Sequence, residues 1–441
     1  MVCSRLTSRR PGLIFAAWNN SVKRGCARVS QDFVLDAAVA HKAALSRVNP
    51  LQSDPAILKQ KFSRIFGAQK KEKKTAQLSV CELDLTVLPA EQRPRRKLWN
   101  TNDHASFLYN RGRGGRVQEM RDMFVDAPGR NDPSTGDLQE ANPPLFDMYE
   151  VRPGVVRERR AFPAPNFQTV GRAAYARAKS GVLFAQAEML LEPLKCRIIT
   201  KGDGVCYFFA KFLQKFAAKQ LLRHPAFALT GETLSISHLE WVKRQTAALG
   251  LSELNNWVSG DYSAATDGLS SAVNSIAIDE LSRVAGLSPA EQLIAQRVNG
   301  PHRVSYNPDL FDVAEELGRE VDLDPFIMTN GQLMGSPLSF PVLCAVNIAA
   351  YWMALEEYTG RSFSIEELPV LVNGDDICFR ANDAFYAVWK RHVEEVGFSL
   401  SQGKNFLSPH FVTMNSASFR DMNGVISQIP TANLGLLLEH A

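Results

Sequence analysis

Two adjacent carboxylates, Asp375 and Asp376, stand inside the stretch Leu371-Val372-Asn373-Gly374-Asp375-Asp376-Ile377-Cys378-Phe379-Arg380. Apolar residues run up to Asn373-Gly374 and away again after Asp376. Asn-Gly between two such runs marks a tight hairpin, because both residues tolerate positive φ. Neighbouring aspartates at a hairpin tip repel each other and weaken a strand, so stability alone does not select them. A divalent cation removes that penalty, and the pair is expected to hold catalytic metal.

A third carboxylate is distant in sequence. Asn256-Trp257-Val258-Ser259-Gly260-Asp261 reads as a strand ending in Asp261, and carboxylates at the C-terminal ends of strands are favoured for metal and ligand work. A turn over 262–267 follows, then a helix expected over 268–285 and stopped by Gly286; Asp267 is either its N-cap or a ligand-facing group. Earlier, Lys195, Arg197 and Lys201 lie within 191–204. On a strand they project from one face, since side chains alternate with period two. Three cations so placed can cradle a triphosphate and favour pyrophosphate departure; an exposed strand with ordinary basic residues is the alternative.

The elements around these groups can be read from punctuation and periodicity. An amphipathic helix with a basic face is predicted over 206–222. The loop Gly331-Gln332-Leu333-Met334-Gly335-Ser336-Pro337 has glycines that let a backbone or ligand approach closely. It feeds an apolar helix predicted over 339–358 and stopped by Gly360, with Ser339 and Asn347 on one face. Beyond the hairpin, Asn382 is placed to cap a helix over 383–396 ended by Gly397. A strand-like run at 398–401, the group Gly403-Lys404-Asn405 and a further strand over 411–419 complete the series.

The 441 residues suffice for about three domains or one multi-lobed unit, and 45% hydrophobic against 22% charged residues is a globular composition. Net charge is only +4, but residues 1–130 hold 24 Lys+Arg against 11 Asp+Glu while the rest hold 26 against 35. A basic front and an acidic rear suit a protein that holds a polyanion in one place and a cation in another. Seven scattered cysteines, with no C-x-x-C pair, argue against a disulfide framework or structural zinc. The first thirty residues carry six arginines and lysines and no acid, a composition shared by transit peptides and by flexible arms that touch RNA phosphates. Residues 1–90 read as helical and polar. From 91 to 130, arginines that include Arg111 and Arg113 are interleaved with Trp99, Phe107 and Tyr109, a mixture suited to phosphates and stacked bases. The charge-free run 333–355 is long enough to span a membrane, but its Gly, Ser, Pro and Asn content fits a loop leading into a buried helix.

Taken in order, these pieces resemble the palm and fingers of positive-strand RNA virus RNA-dependent RNA polymerases. The nearest likeness is to ourmia-like viruses (botourmiaviruses), with narnaviruses and mitoviruses more distant. Residues 191–204 resemble motif F, 260–269 motif A, 331–347 motif B, 372–379 motif C and 397–409 motif D, so the likeness spans about 190–420. It implies an α+β right-hand polymerase fold: an N-terminal basic region over 1–90, fingers over 91–255, a palm with an antiparallel sheet over 256–420 with a fingers insertion near 290–330, and the start of a short or truncated thumb over 421–441. It also implies that Asp261, Asp375 and Asp376 bind two Mg2+ (or Mn2+) ions. Lys195, Arg197, Lys201, Asp267, Ser339 and Asn347 would bind the NTP, with Asp267 reading the ribose 2′-hydroxyl, and Lys404 would protonate pyrophosphate. Gly331, Gly335, Arg111 and Arg113 would contact template. The implied partners are RNA template, RNA product and NTPs, with no transmembrane segment, in the host cytoplasm or, from the basic N-terminus, the mitochondrion. One departure concerns motif B: Leu343 stands four residues after Ser339 where relatives carry Asn, so the partner of Asp267 stays open. The alternatives are a reverse transcriptase-like enzyme, disfavoured by Asn-Gly before the Asp pair and by Asp267, and a non-catalytic RNA-binding scaffold.

Overall fold

The computed structural model describes residues 29–67, 106–108, 115, 116, 119, 146–152, 155–160, 167–192 and 195–430. The expectations for Arg111, Arg113, the first 28 residues and the final eleven fall outside them. In chain order the described helices of eight residues or more are α1 (Gln31–Leu45), α2 (Pro55–Phe66), α3 (Phe167–Lys179), α4 (Gly204–Leu221), α5 (Ile236–Ala248), α6 (Ser271–Ala285), α7 (Pro289–Asn299), α8 (Asp309–Glu316), α9 (Ser339–Thr359) and α10 (Asp383–Glu395). The strands are β1 (Phe146–Arg152), β2 (Val155–Arg160), β3 (Leu183–Glu192), β4 (Lys195–Gly202), β5 (Asn256–Gly260), β6 (His302–Tyr306), β7 (Phe326–Ile327), β8 (Val370–Asn373), β9 (Asp376–Ala381), β10 (Phe406–Ser408), β11 (Phe411–Met414), β12 (Ala417–Met422) and β13 (Val425–Gln428). The fold is mixed α+β.

Its centre is a four-stranded antiparallel sheet in the order β10-β5-β9-β8. Gly260 pairs with Ile377 and Ser259 with Cys378, so the ends of β5 and the β8–β9 hairpin reach the same edge of the sheet. Glycine is required at 260: a Cβ there would lie 2.6 Å from Ile377 and 3.1 Å from Trp389. Behind the sheet runs α9, a 21-residue apolar helix long enough to cross a membrane, whose apolar stretch is 89% buried inside the protein. It is a core helix, as expected, and α10, α6 and α2 pack against it. A second sheet, β4-β3-β6-β7, joins the basic strand to residues 302–327, with β3 and β6 parallel.

The polar reading of residues 1–90 does not hold for their described part. Leu58, Phe62, Ile65 and Phe66 of α2 enter the main core, and Leu35, Ala38 and Leu45 of α1 enter a second one. Lys61 is buried as well, paired with Glu356 at 2.5 Å and lying over the Trp352 ring at 4.1 Å. Farther along, the strand expected over 411–419 is a hairpin, β11–β12, turned by Asn415 and Ser416 with φ of 52° and 61°. Asn tolerates that left-handed conformation better than most residues. The boundary expected between 420 and 421 falls inside β12. This outer sheet is fastened to the back of the central one: Trp257 Nε1 donates to Asp421 at 2.9 Å, and Arg380 stacks over the same indole.

Candidate active site

Asp261, Asp375 and Asp376 line a single cavity of about 890 Å³, together with Arg197, Asp267, Gly335, Ser336, Ser339 and Lys404. Each carboxylate arrives there for a local reason. Asp261 is the first residue after β5, and Asn405 grips its backbone from both sides: the Asp261 N–H donates to Asn405 Oδ1 at 3.0 Å, and Asn405 Nδ2 donates to the Asp261 carbonyl at 2.9 Å. Its side chain receives Lys404 Nζ at 3.0 Å. Asp375 sits at the hairpin tip. Asn373 pairs with Asp376, so the two turn residues are Gly374 and Asp375, one place later than the Asn-Gly reading; Gly374 has φ of 69°. Glycine at the first position of a two-residue turn supplies that conformation without strain.

Asp376 opens β9, and its carboxylate accepts from the Asn415 N–H at 3.1 Å. Burial, then the charge of Asp375, push its carboxyl up to about 6 despite that bond; Asp261 adds to the rise and Lys404 opposes it. The charges of the other two acids therefore reach Asp376 across the cavity. Among the described residues, however, no group of three or more His, Cys, Asp or Glu side chains stands close enough to hold a metal ion. As placed, Asp261 faces Lys404 and Asp376 faces a backbone N–H. The donor set, three carboxylates on one wall, is nonetheless of the oxygen type that hard divalent cations take.

Asp267 is not the cap of the long helix. Residues Ala265–Gly268 form a separate helical turn, and α6 begins only after Ser270. Burial pushes the Asp267 carboxyl up to about 7, against a hydrogen bond from Thr266 Oγ1 at 3.1 Å. The Gly331 loop holds this turn: Gln332 N–H donates to the Thr266 carbonyl at 2.8 Å, and Asn330 Nδ2 to the Asp267 carbonyl at 3.1 Å. Gly331 supports the turn rather than lining the cavity. A Cβ on it would lie 2.6 Å from the Asp267 carbonyl oxygen, and one on Gly335 would lie 2.1 Å from that of Thr200.

The basic strand is distributed differently from the expectation. Arg197 lines the cavity, whereas Lys201 does not and pairs with Glu188 of β3 at 2.5 Å. Lys195 belongs to β4 by its backbone, and its side chain lies outside the described residues. Asn347 also departs from its expected place. It is fully buried and absent from the cavity wall. Its Oδ1 accepts from the Tyr262 hydroxyl at 2.7 Å, and its Nδ2 donates to the Gly374 carbonyl at 3.0 Å and, more weakly, to that of Asp375. Cys344, one turn earlier on α9, accepts the Gly374 N–H through its sulfur at 3.2 Å. Tyr262, Asn405 and Asn415 were thus missed as parts of the site. Only Asn405 carried a signal, its position directly after Lys404.

No protein-family model matches the chain. Over 241 residues it is 39% identical to the RNA-dependent RNA polymerase of Ourmia melon virus (isolate Melon/Iran/VE9), covering 53% of this chain and 27% of that protein. The chain is related to the Ourmia melon virus polymerase. It spans about a quarter of that relative's length. Among solved structures, the BmCPV RNA-dependent RNA polymerase at elongation state aligns over 58% of this chain and 22% of its own, with 12% identity and a TM-score of 0.40. The RNA-dependent RNA polymerase of a human picorbirnavirus aligns over 55% and 44%, with 13% identity and a TM-score of 0.37.

Proposed function

We propose that the chain carries the catalytic part of an RNA-dependent RNA polymerase that copies a viral RNA genome by transferring a nucleotidyl group from an NTP to an RNA 3′-hydroxyl. The observation that carries this reading is the convergence of Asp261, Asp375 and Asp376 on one cavity with Arg197 and Lys404. Relatedness to the Ourmia melon virus polymerase supports it. In this reading residues 91–255 with 290–330 act as fingers, and the palm begins at 256 and runs on through β12 and β13, so that a thumb starts only beyond Gln428.

Asp261 and Asp375 would hold Mg2+ or Mn2+, with Asp376 as an accessory ligand. Bound there, such ions stabilise the leaving phosphates and favour the ionised attacking hydroxyl. The remaining work falls to side chains. Arg197, a fixed cation, pairs with the triphosphate and orients it. Asp267, on its caged turn, faces the sugar; with its carboxyl near neutrality it can donate or accept a hydrogen bond. Lys404 carries a proton at the Asp261 end of the cavity, where departing pyrophosphate needs one. Asn347, Tyr262 and Asn405 keep the carboxylate-bearing backbone in place.

Labelled NTP incorporation on an RNA template with Mg2+ or Mn2+, with and without primer, tests the reading. Synthesis is expected from the purified chain and should collapse in Asp375→Asn while RNA binding survives. RNA binding without any incorporation would overturn the reading and leave a non-catalytic RNA-binding scaffold.

A further inference from the structure

Helix α1 has a face that the proposed chemistry does not use. Ala37, Ala40, His41 and Ala44 line the same cavity as Asp267, and their spacing of three and four places them on one side of the helix. The flank next to His41 buries Ala38 and Leu45, and the side away from the cavity buries Leu35. The small residues let the helix lie close to the cavity, and His41 is the one polar side chain on that face.

The helix is held firmly against the Asp267 turn. At its C-terminal end, the Leu45 carbonyl accepts from the backbone N–H groups of Thr329 at 2.8 Å and Asn330 at 3.0 Å. Asn49 Nδ2 donates to the Gly268 carbonyl at 3.3 Å, and Ser270 Oγ returns a bond to the Asn49 carbonyl. On the outer flank Lys42 pairs with Asp322 at 2.5 Å, and Arg319 pairs with Asp36 at 2.7 Å. His41 is 5% exposed, and its Nδ1 lies 2.8 Å from the Tyr306 hydroxyl with the two rings edge to face. Tyr306 stays a phenol, because burial and then the Asp267 charge oppose its ionisation; burial likewise keeps the imidazole neutral, down to about 4. In the tautomer that accepts the hydroxyl proton at Nδ1, the ring proton resides on Nε2 and can be offered to a ligand.

We infer that His41 is a specificity-determining residue of the nucleotide site, held by Tyr306 and acting with Asp267 to read the hydroxyls of the incoming sugar. The inference rests on the proposed function for the identity of the ligand. It assigns to α1 the role that the buried Asn347 cannot fill. A site built to hydrogen-bond a hydroxyl rejects the analogue that lacks it, because the polar groups of the site are left unpaired.

The test compares GTP with 2′-deoxy-GTP, by equilibrium binding and by single-nucleotide incorporation, in the full chain and three variants. The parent is expected to prefer GTP. His41→Phe, which keeps a ring of similar size, should reduce the preference about ten-fold or more. His41→Gln, which restores a donor near the Nε2 position, should recover most of it, and Tyr306→Phe, which unties the ring, should reduce it part way. An unchanged GTP-to-deoxy-GTP ratio in His41→Phe overturns the inference, even if total incorporation falls, because that pattern marks a wall residue only. Equal binding of the two nucleotides by the parent overturns it too. Failure of the proposed function reads differently: the parent makes no RNA, while the binding ratios still decide the role of His41.

Discussion

The Tyr262 hydroxyl donates to Asn347 Oδ1 at 2.7 Å, while the amide nitrogen of the same asparagine donates to the Gly374 carbonyl at 3.0 Å. One buried side chain thus ties the residue after Asp261 to the turn that presents Asp375. Burial, with the Asp375 and Asp261 charges, keeps Tyr262 protonated and able to donate.

Replacing Asn347 by Ala leaves a buried hydroxyl and a buried carbonyl without their side-chain partner. Each such group costs about 1–3 kcal/mol, so denaturant unfolding should show a loss of about 2–6 kcal/mol, with synthesis falling further than RNA binding. Tyr262→Phe strands only Asn347 Oδ1 and should lose about half as much. Parent-like stability in Asn347→Ala would show that the strut carries no weight.

Asp267 gives a pH dependence of definite sign. Its carboxyl is raised by burial to about 7 in the folded chain, against about 4 when unfolded. The protonated form is favoured by folding, so this stability is fully present below about pH 4 and is lost as pH rises through about 7. Asp267→Asn never ionises. Its advantage over the parent should grow from pH 4 to pH 7, reach at most about 4 kcal/mol, and then level off. A stability difference that stays flat with pH contradicts the burial argument.

Lys404 tests whether an exposed pair has a chemical rather than a structural role. Its side chain is 61% exposed and its partner Asp261 21% exposed, and exposed pairs contribute less than about 1 kcal/mol. Lys404→Leu should melt within a degree or two of the parent, yet the single-turnover rate should fall about 10²-fold or more if it delivers a proton. Equal rates at saturating NTP would remove it from the chemistry.

Gly335 tests the glycine loop. With φ of 142° and a Cβ position 2.1 Å from the Thr200 carbonyl oxygen, alanine has no room. Gly335→Ala must push apart the loop and β4, which are joined by the 2.7 Å bond from Thr200 N–H to the Met334 carbonyl. The expected result is a rise in NTP KM together with a lower melting temperature. Unaltered kinetics would mean that the loop and strand move independently.

What could be read in advance was what depends on nearby residues. Asn382 does cap α10, accepting from Phe385 N–H at 2.8 Å, and Gly286 and Gly360 end their helices with left-handed φ. The sheet ending in Asp261 and the hairpin bearing the Asp pair were legible for the same reason: alternation and turn chemistry are local. Roles set by tertiary neighbours were not legible. Lys201 faces Glu188 because β3 happens to pair there, and Asn347 is drawn to the hairpin because α9 passes beneath it. His41 carries no local signal in the sequence, because its place is set by the packing of α1 against residues 265–268. The turn was misplaced by one residue because Asn373-Gly374 and Gly374-Asp375 both satisfy the steric rule, and only the register of β8 with β9 chooses between them.

That register has a consequence for the geometry of the acids. Asp261 and Asp376 sit at the ends of neighbouring strands whose pairing is set at Gly260 and Ile377. A slip that preserved the inward faces would have to be two residues, or about 7 Å of strand, so no intermediate spacing is open to the backbone. The gap between the acids is therefore quantised like the teeth of a ratchet. Surrounding side chains can drift in evolution or in thermal motion without resetting it.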